Sequence, residues 1–404
     1  MNTILTRPTS SNERIDNLDI IRGVALLGIL IMNVQVFSMI VAAYTNPTSF
    51  GDLTGSNFVV YYLSHIFADQ KFMTLFSILF GAGIILMADN IDRKQGHAAK
   101  IHYKRMAILA IFGLLHAYLL WFGDILFGYA LAGMLVYRAR HKSITFLLAG
   151  ALGLLMLTSI MMLIGAWTLP HWPPEVLQEM ESYWSPGAES IRQELIANTG
   201  SWLNQAEHRH TIALDGQLNL VLYLPRVGGL MMVGMALFKL DFFGLAYPSK
   251  TLMLGGLIAF AVSLGLIVIG NQQNFNDNWN LHAMFAGSQF NYWGSLLMAY
   301  TYLCFLVVYC RADYGQWMKR ALACVGRMSL TNYLGQSLIC GFIFFGWGLG
   351  LFGSVERSEQ IMIVVAIWVF QLIFSSLWIR RFQFGPAEWL WRSMTYGKLQ
   401  PMQK

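Results

Sequence analysis

Long apolar runs recur along the whole chain, and they constrain its fold more than any other feature. About 20 consecutive apolar residues form a helix long enough to cross a hydrocarbon core of about 30 Å. The runs lie near 18–40, 58–88, 106–121, 123–139, 143–168, 218–238, 251–270, 284–310, 324–346 and 361–379. They lack the alternation of strands, and lipid admits only helices and closed barrels as spanning structures. The sequence therefore predicts an all-α, polytopic transmembrane helical bundle of about ten spans.

The composition supports a membrane protein and argues against other classes. The chain has 404 residues, of which 56% are hydrophobic and 12% are charged. Soluble globular proteins carry about 25% charged residues, so this chain lacks the surface charge that water requires. The net charge of +6 comes from short basic clusters between apolar runs, and this distribution does not indicate a nucleic-acid partner. The four cysteines form no CxxC pair, so neither a disulfide framework nor a metal site is predicted.

The distribution of Lys and Arg predicts the orientation of the bundle. Twenty basic residues lie in the segments 1–17, 89–105, 138–142, 239–250, 311–323 and 380–404, against three in the alternate loops. Basic residues collect on the cytoplasmic side of membrane proteins. The chain is therefore predicted to be a multi-pass protein of a bacterial cytoplasmic (inner) membrane, surrounded by membrane lipids, with both termini in the cytoplasm.

Five regions follow from the spans and this orientation. They are a cytoplasmic N-terminal tail, a first bundle of about five spans, an extracytoplasmic loop, a second bundle of about five spans, and a cytoplasmic tail with an interfacial helix. Their bounds are 1–17, 18–168, 169–217, 218–379 and 380–404. The extracytoplasmic loop contains seven acidic residues and is expected to form short helices. It is either a solvated loop or a cover over a site.

The first span carries a polar stripe. Asp19 and Arg22 are three residues apart and can pair on one helical face. Asn33 lies eleven residues beyond Arg22, about three helical turns, and returns to nearly the same face. Polar residues at membrane depth usually face the bundle interior and mark a site or pathway. The alternative is a pair that anchors the helix end at the headgroups.

The second apolar run is interrupted at Asp69, Gln70 and Lys71. Lys71 needs a carboxylate, backbone carbonyls or an anionic ligand if it lies within the membrane. It could equally extend its amino group to the interface. Gly81 and Gly83 indicate close packing against a neighbouring helix.

A histidine and an aspartate flank the turn between the third and fourth runs. His116 lies near the end of one predicted helix, Asp124 opens the next, and Gly123 permits a tight turn between them. A His held by a carboxylate can act as a general base with its orienting partner. The same pair could instead be a structural hydrogen bond that holds the hairpin together.

Two further segments place polar groups inside apolar runs. LPRVGG contains Arg226 directly after Pro225, and GRMSLTNYLGQS contains Arg327, Asn332 and Gln336. Arginines near the cytoplasmic side suit a phosphorylated ligand or lipid headgroups equally well. The C-terminal segment GPAEWLWR is expected to be a mainly structural interfacial helix, with Glu388 paired to Arg392 four residues later.

These motifs together resemble a known family. The RG-containing first span, KFMTLFSILFGAG, the H…GDIL hairpin, GRMSLTNYLGQS and GPAEWLWR resemble the bacterial YeiB-like inner-membrane proteins over nearly the whole chain. That family is largely uncharacterised, and some members have been labelled as possible transporters.

The first span also resembles, more distantly, the transmembrane acyltransferase superfamily, which includes the acyltransferase-3 enzymes and heparan-glucosaminide acetyltransferases. Those proteins begin with a similar basic–Asp–Arg–Gly helix and move an acyl group from cytoplasmic acyl-CoA across the membrane. The matching residues here are Asp19, Arg22, Gly23 and Asn33. Acyltransferase-3 enzymes often have a His near the end of the first helix. This chain has Asn33 in that region, so His116 is taken as the catalytic histidine instead, with His65 as the reserve.

Three functions are compatible with these residues. The preferred hypothesis is an acyltransferase that uses acyl-CoA as donor and an envelope glycan or lipid-linked acceptor. His116 and Asp124 would be catalytic, and Arg22, Lys71 and Arg327 would stabilise phosphates or an oxyanion. A transporter of a small or amphipathic solute is the alternative, and a membrane scaffold is third. The sequence leaves open the acceptor, the acyl chain, the oligomeric state and whether His116 and Asp124 are in contact.

Overall fold

The computed structural model describes residues 16–94 and 96–404, and helices make up the regular structure of these residues. No β-strand forms within those two ranges. The predicted all-α fold is confirmed. The predicted N-terminal tail 1–17 lies outside the described residues apart from its last two, which already belong to the first helix.

The helices are numbered here in chain order. Their bounds are α1 (Asp16–Ser38), α2 (Ala42–Thr45), α3 (Gly55–Phe67), α4 (Lys71–Arg93), α5 (Ala98–Leu119), α6 (Leu126–Val136), α7 (Ile144–Thr168), α8 (Pro174–Trp184), α9 (Ala188–Thr199), α10 (Asn204–Leu218), α11 (Leu220–Lys239), α12 (Ser249–Asn276), α13 (Ser288–Arg311), α14 (Gln316–Arg327), α15 (Ser329–Phe344), α16 (Arg357–Arg381) and α17 (Pro386–Tyr396). Short 3₁₀ turns lie at 137–141 and 169–171, and a π-helical turn at 283–287 precedes α13.

Seven helical stretches of the described chain are long and apolar enough to cross a membrane. They are Asn17–Ser38, Gly55–Arg93, Ile144–His171, Leu220–Lys239, Ser249–Asn276, Ala283–Arg311 and Arg357–Arg381. The protein is therefore a polytopic membrane protein. The second stretch is broken where the sequence predicted it, because α3 ends at Phe67 and α4 begins at Lys71.

The other three predicted spans fall on shorter or more polar helices. Segments 106–121 and 123–139 correspond to α5 and α6, and α6 has 11 residues, about 16 Å of helix. Segment 324–346 is divided at Met328 between α14 and α15. Interrupted helices at membrane depth are tolerated where protein surrounds them or a cavity lies beside them. The count of ten spans stays a prediction.

Glycines allow the central helices to touch along their backbones. A Cβ added at Gly81 would lie 1.9 Å from the carbonyl oxygen of Met231, and one at Gly234 would lie 1.8 Å from that of Ile78. These contacts join α4 to α11, as small residues do at membrane helix interfaces. The close packing predicted at Gly81 is confirmed. At Gly83 a Cβ would meet only the Arg22 guanidinium, at 3.9 Å, because that face of α4 borders a cavity.

The basic segments gather at one end of the bundle, called here the basic end and defined by 89–105, 138–142 and 239–250. Arg140 pairs with Asp92 at 2.9 Å, and the Lys239 amino group donates to the carbonyl of Lys142 at 2.7 Å. The predicted loop 169–217 contains α8, α9 and α10, so its short helices are confirmed. Arg209 of this loop donates to the carbonyl of Tyr118, near the opposite end of α5, at 2.9 Å.

Candidate functional site

The structure brings His116 and Asp124 together at the turn between α5 and α6. His116 Nδ1 lies 2.9 Å from Asp124 Oδ1, and both side chains are almost completely buried. Asp124 Oδ2 accepts the backbone N–H of Phe127 at 2.8 Å. The carboxylate therefore caps the start of α6 while it holds the imidazole. Because each Asp124 oxygen has a donor, the orientation of the His116 ring is fixed from one side.

The other nitrogen of His116 contacts a serine that the sequence analysis did not single out. Ser337 Oγ lies 2.8 Å from His116 Nε2, and Ser337 is buried in the middle of α15. An ionised carboxylate only accepts hydrogen bonds, so the neutral His116 tautomer that fits Asp124 is the one protonated on Nδ1. In that tautomer Nε2 accepts the serine hydroxyl. Asp124, His116 and Ser337 thus form one hydrogen-bonded chain, called here the Asp–His–Ser chain. GRMSLTNYLGQS ends on Ser337, but sequence spacing could not reveal its contact with a helix 221 residues away.

Two aromatic rings enclose this chain. The ring centroid of His116 lies 5.1 Å from that of Tyr333 and 6.2 Å from that of Trp121. Tyr333 Oη accepts the backbone N–H of Ile125 at 3.3 Å and lies 3.4 Å from the carbonyl of Gly123. Trp121 Nε1 is buried and has no hydrogen-bond partner among the described residues. The imidazole is therefore shielded from lipid and water.

A cavity of about 240 Å³ extends from the basic end towards this chain. Its mouth carries five basic side chains and one carboxylate: Arg22, Lys94, Arg105, Arg327, Arg392 and Glu388. Its interior is largely apolar and includes Leu26, Ile29, Phe76, Leu79, Phe80, Leu109, Leu126 and Tyr129. Tyr333 also lines the cavity, so one aromatic side chain borders both the cavity and His116. The space has a cationic entrance and a hydrophobic interior.

Arg22 and Arg327 both reach this cavity, as the phosphate-binding hypothesis requires. Arg22 Nη1 also lies 2.8 Å from Asp19 Oδ1, so the predicted pair is present at the cavity mouth. Arg327 Nη2 donates to the carbonyl of Gln383 at 3.3 Å. Asn33 is half-buried farther along α1 and is not among the lining residues of the cavity.

Lys71 and Arg226 belong to a separate buried cluster. Lys71 is fully buried and does not extend to the surface; its amino group donates to the carbonyl of His65 at 2.6 Å and to Asn291 Oδ1. Asn291 in turn donates to Asp69 Oδ2 at 2.6 Å, and His65 Nδ1 lies 3.4 Å from the same oxygen. The reserve histidine of the sequence analysis thus contacts this cluster and not the cavity.

Arg226 lies in the same electrostatic neighbourhood, on α11. It donates to Ser295 Oγ at 2.8 Å, and its guanidinium lies 4.1 Å from the centre of the Tyr292 ring. Its other terminal nitrogen, Nη1, has no hydrogen-bond partner within the described chain. Neither Lys71 nor Arg226 lines the cavity described above.

Asn332 and Gln336 join α15 to α16. Asn332 donates to Ser375 Oγ, and Gln336 donates to Gln371 Oε1, each at 2.9 Å. Both amides point away from the cavity, towards the neighbouring helix. Side-chain amides commonly hydrogen-bond across membrane helices. Two polar side chains of α15, Asn332 and Gln336, therefore contact α16, whereas Ser337 contacts His116.

The C-terminal helix contributes to the cavity as well as to stability. Trp391, Arg392 and Tyr396 of α17 line the mouth, although this helix was expected to be mainly structural. The predicted Glu388–Arg392 pair is replaced by other contacts: Glu388 turns to α15, and Arg392 lies 4.5 Å from the centre of the Phe384 ring. The first backbone N–H groups of α15 have no acceptor within their own helix. They bind the Glu388 carboxylate in place of Arg392.

Glu388 caps α15. Its Oε1 accepts the backbone N–H groups of Leu330 and Thr331 at 2.6 and 3.1 Å, and its Oε2 accepts the Thr331 hydroxyl at 2.5 Å. Burial raises the pKa of the Glu388 carboxyl above its usual range, although the Thr331 hydroxyl and backbone amides act in the opposite direction. Glu388 therefore links α17 to the helix that carries Ser337.

Glu388→Ala is expected to lower the stability of the protein by about 1–2 kcal/mol, because the first amides of α15 lose their acceptor. Thermal unfolding of the purified protein in detergent measures this change. Glu179→Ala removes an exposed carboxylate from α8 and serves as the matched control. Equal melting temperatures for the two variants would contradict the capping role.

The four cysteines are free, and no group of three His, Cys, Asp or Glu side chains within residues 16–94 and 96–404 is placed to hold a metal ion. The groups that could hold a ligand are therefore the basic side chains at the cavity mouth. Their number favours an anionic ligand, and the interior favours one with an apolar part.

Comparison with known proteins identifies relatives along the whole chain. Residues 237–398 match a family model described as protein of unknown function (DUF418). Uncharacterized protein YxaH of Bacillus subtilis is 30% identical, and the match covers 98% of each chain. Uncharacterized protein YeiB of Escherichia coli is 31% identical over 96% of this chain and 98% of its own. An uncharacterized 39.9 kDa protein of Bacillus acidopullulyticus is 27% identical over 98% of this chain. The chain belongs to the YeiB-like family.

Proposed function

We propose that this protein is a membrane acyltransferase that moves an acyl group, such as acetyl, from acyl-CoA to a hydroxyl of an envelope glycan or lipid-linked acceptor. The observation that carries the proposal is the Asp–His–Ser chain beside a cavity with a cationic mouth. An acyl transfer needs a base that deprotonates the attacking hydroxyl. A phosphorylated donor also needs cationic side chains that bind its phosphates and so hold its acyl group near that base.

The donor would enter from the basic end. Five basic side chains lie at the mouth against two carboxylates, Glu388 and the Asp19 that pairs with Arg22, so a positive excess remains. Arginines bind phosphate groups with two parallel hydrogen bonds. The apolar interior suits the acyl chain and the uncharged arm that carries it. No metal takes part in this proposal.

His116 would deprotonate the acceptor hydroxyl, and Asp124 would hold the imidazole in the tautomer that accepts this proton. The acceptor would approach from the opposite end, where α10 lies over the end of α5. There Arg209 and His210 both contact the carbonyl of Tyr118, at 2.9 and 3.1 Å. Donor and acceptor would therefore reach His116 from different ends of the bundle.

The proposed location is a bacterial cytoplasmic membrane, with both termini and the cavity mouth in the cytoplasm. The split of basic residues between alternate segments supports this orientation. It places the cationic mouth on the side where acyl-CoA is made.

Transport of a small or amphipathic solute is the second candidate. The cluster of Asp69, Lys71 and Arg226 favours it, since ionisable groups inside a bundle often line a substrate or proton pathway. Acyl transfer leaves this cluster without a direct role. Thermal unfolding with acetyl-CoA distinguishes acyl transfer from transport, because only the acyltransferase needs a donor site.

Acetyl-CoA at millimolar concentration is expected to raise the melting temperature of the purified protein. A ligand at about 100 times its dissociation constant stabilises the folded state by about 2.7 kcal/mol. CoA is expected to have a similar effect and pantetheine almost none, because the phosphates bind the basic mouth. The measurement is thermal unfolding in detergent with each compound.

The double variant Arg22→Gln/Arg327→Gln is expected to lose most of the shift with acetyl-CoA. Arg381→Gln removes an exposed arginine that does not line the cavity, so this control should keep the shift. The absence of a shift in the unmodified protein would reject the donor site and favour transport.

A further inference from the structure

We infer that Ser337 is a covalent nucleophile, which holds the acyl group as an ester between donor and acceptor. This inference rests on the proposed function, and it replaces a direct transfer by two successive transfers. Its basis is the contact of 2.8 Å between Ser337 Oγ and His116 Nε2, together with the contact of 2.9 Å between His116 Nδ1 and Asp124 Oδ1. A nucleophile, a base and an orienting carboxylate in this order define an activated serine, whatever the fold.

The hydrogen bonds have the polarity that activation requires. Asp124 has an acceptor oxygen facing Nδ1, so Nδ1 donates and Nε2 presents its lone pair to Ser337. The alternative acceptor for the serine hydroxyl is the carbonyl of Tyr333, at 3.4 Å, which is longer by 0.6 Å than the contact with His116. The serine proton is therefore directed towards the base.

Trp121 supplies an unused donor near the same point. Its indole N–H is buried without a partner among the described residues, and its ring centroid is 6.2 Å from that of His116. A buried donor without an acceptor lowers stability. If the negative oxygen of a tetrahedral intermediate on Ser337 lies within hydrogen-bond distance of this indole, it gives the N–H an acceptor, as in an oxyanion hole.

The cavity approaches Ser337 along α15. Tyr333 lines the cavity, and Ser337 follows it by one helical turn on the same face, a rise of about 6 Å. The Tyr333 ring lies against His116 at 5.1 Å between centroids. Ser337 itself does not line the cavity, so the inference requires the Tyr333 ring to move before a thioester carbonyl can reach the serine.

The two steps conserve atoms and charge. In the first, Ser337 Oγ attacks the thioester carbonyl carbon, and its proton passes to His116 Nε2. The carbon–sulfur bond breaks, the CoA sulfur takes that proton, and an acyl ester remains on Ser337. In the second, an acceptor hydroxyl gives its proton to His116 and attacks the ester. Ser337 leaves as the alkoxide and recovers the proton.

A fluorophosphonate probe tests the serine independently of acyl-CoA. The full-length protein in detergent micelles is incubated with the probe, digested and mapped by mass spectrometry. We expect the label on Ser337, no label on that peptide in Ser337→Ala, and at least a 100-fold slower reaction in His116→Ala. Ser263→Ala is the matched control and should label like the unmodified protein, because Ser263 is fully buried but bonds the carbonyl of Gly294.

Acetyl-CoA supplies the second readout. Incubation with this donor should add the mass of one acetyl group to the peptide containing Ser337, and an acceptor alcohol should remove it. Wild-type protein that is labelled at other serines but not at Ser337 would overturn the inference without relying on a variant.

The outcomes separate this inference from the proposed function. If the probe labels Ser337 but acetyl-CoA does not shift the melting temperature, Ser337 is an activated nucleophile and acetyl-CoA is not its donor. A thermal shift with full acyl transfer by Ser337→Ala overturns the nucleophile and leaves direct transfer by His116. A purely structural Ser337 would leave the probe unreactive at this position, and that result also overturns the inference.

Discussion

Acyl transfer by the His116→Ala variant is expected to fall by about 10²- to 10⁴-fold, the usual contribution of a positioned general base. The imidazole connects Asp124 to Ser337 through both of its nitrogens, so its removal leaves neither a proton acceptor nor an oriented hydroxyl. Transfer of a radiolabelled acetyl group from acetyl-CoA to an acceptor alcohol measures the effect. Donor binding should persist, because the basic residues of the cavity mouth are unchanged.

His282→Ala is the control, because His282 is an exposed histidine outside the cavity. Asp124→Asn should also impair transfer, since an amide can present its N–H to Nδ1 and reverse the tautomer. Both site variants should elute as the unmodified protein does in size-exclusion chromatography. Undiminished transfer by a well-folded His116→Ala protein would eliminate His116 as the base.

Gly234→Leu is expected to destabilise the protein by about 3 kcal/mol or more, at the upper end of the effects of overpacking. Even a Cβ at this position would lie 1.8 Å from the Ile78 carbonyl oxygen, which is a backbone atom that cannot rotate away. Helices α4 and α11 would have to separate, and α4 also lines the cavity. Thermal unfolding in detergent and the yield of monodisperse protein measure the loss.

Gly153→Leu is the control for Gly234→Leu, because it makes the same change in another membrane helix. Gly153 lies on α7, and a Cβ added there meets no atom within 4 Å. The same residue type is thus introduced into a membrane helix without a clash. If both variants had the same melting temperature, the backbone contact between α4 and α11 would not determine stability.

The sequence predicted the features that depend on local order. Apolar runs predicted the helices, and the interruption near Asp69 predicted the break between α3 and α4. The short turn between His116 and Asp124 predicted them as a candidate pair, and the structure adds their contact at 2.9 Å. These predictions needed only hydropathy, helix length and chain geometry.

The features that depend on distant helices could not be predicted in the same way. Ser337 and Gln336 are adjacent in sequence, yet one contacts His116 and the other contacts Gln371. Which polar side chain faces a site is decided by the rotation of α15 between its neighbours. The role of α17 at the cavity mouth likewise depends on the cap that Glu388 forms on α15.

The position of Tyr333 affects how well the protein insulates the two aqueous sides of the membrane from each other. A cavity that penetrates far into a membrane protein shortens the insulating layer that sustains a voltage. Here Tyr333 forms part of the cavity wall, and its phenol oxygen accepts the backbone N–H of Ile125 at 3.3 Å. Because this side chain borders both the cavity and the buried imidazole, its position affects how far water and protons can follow a ligand inward.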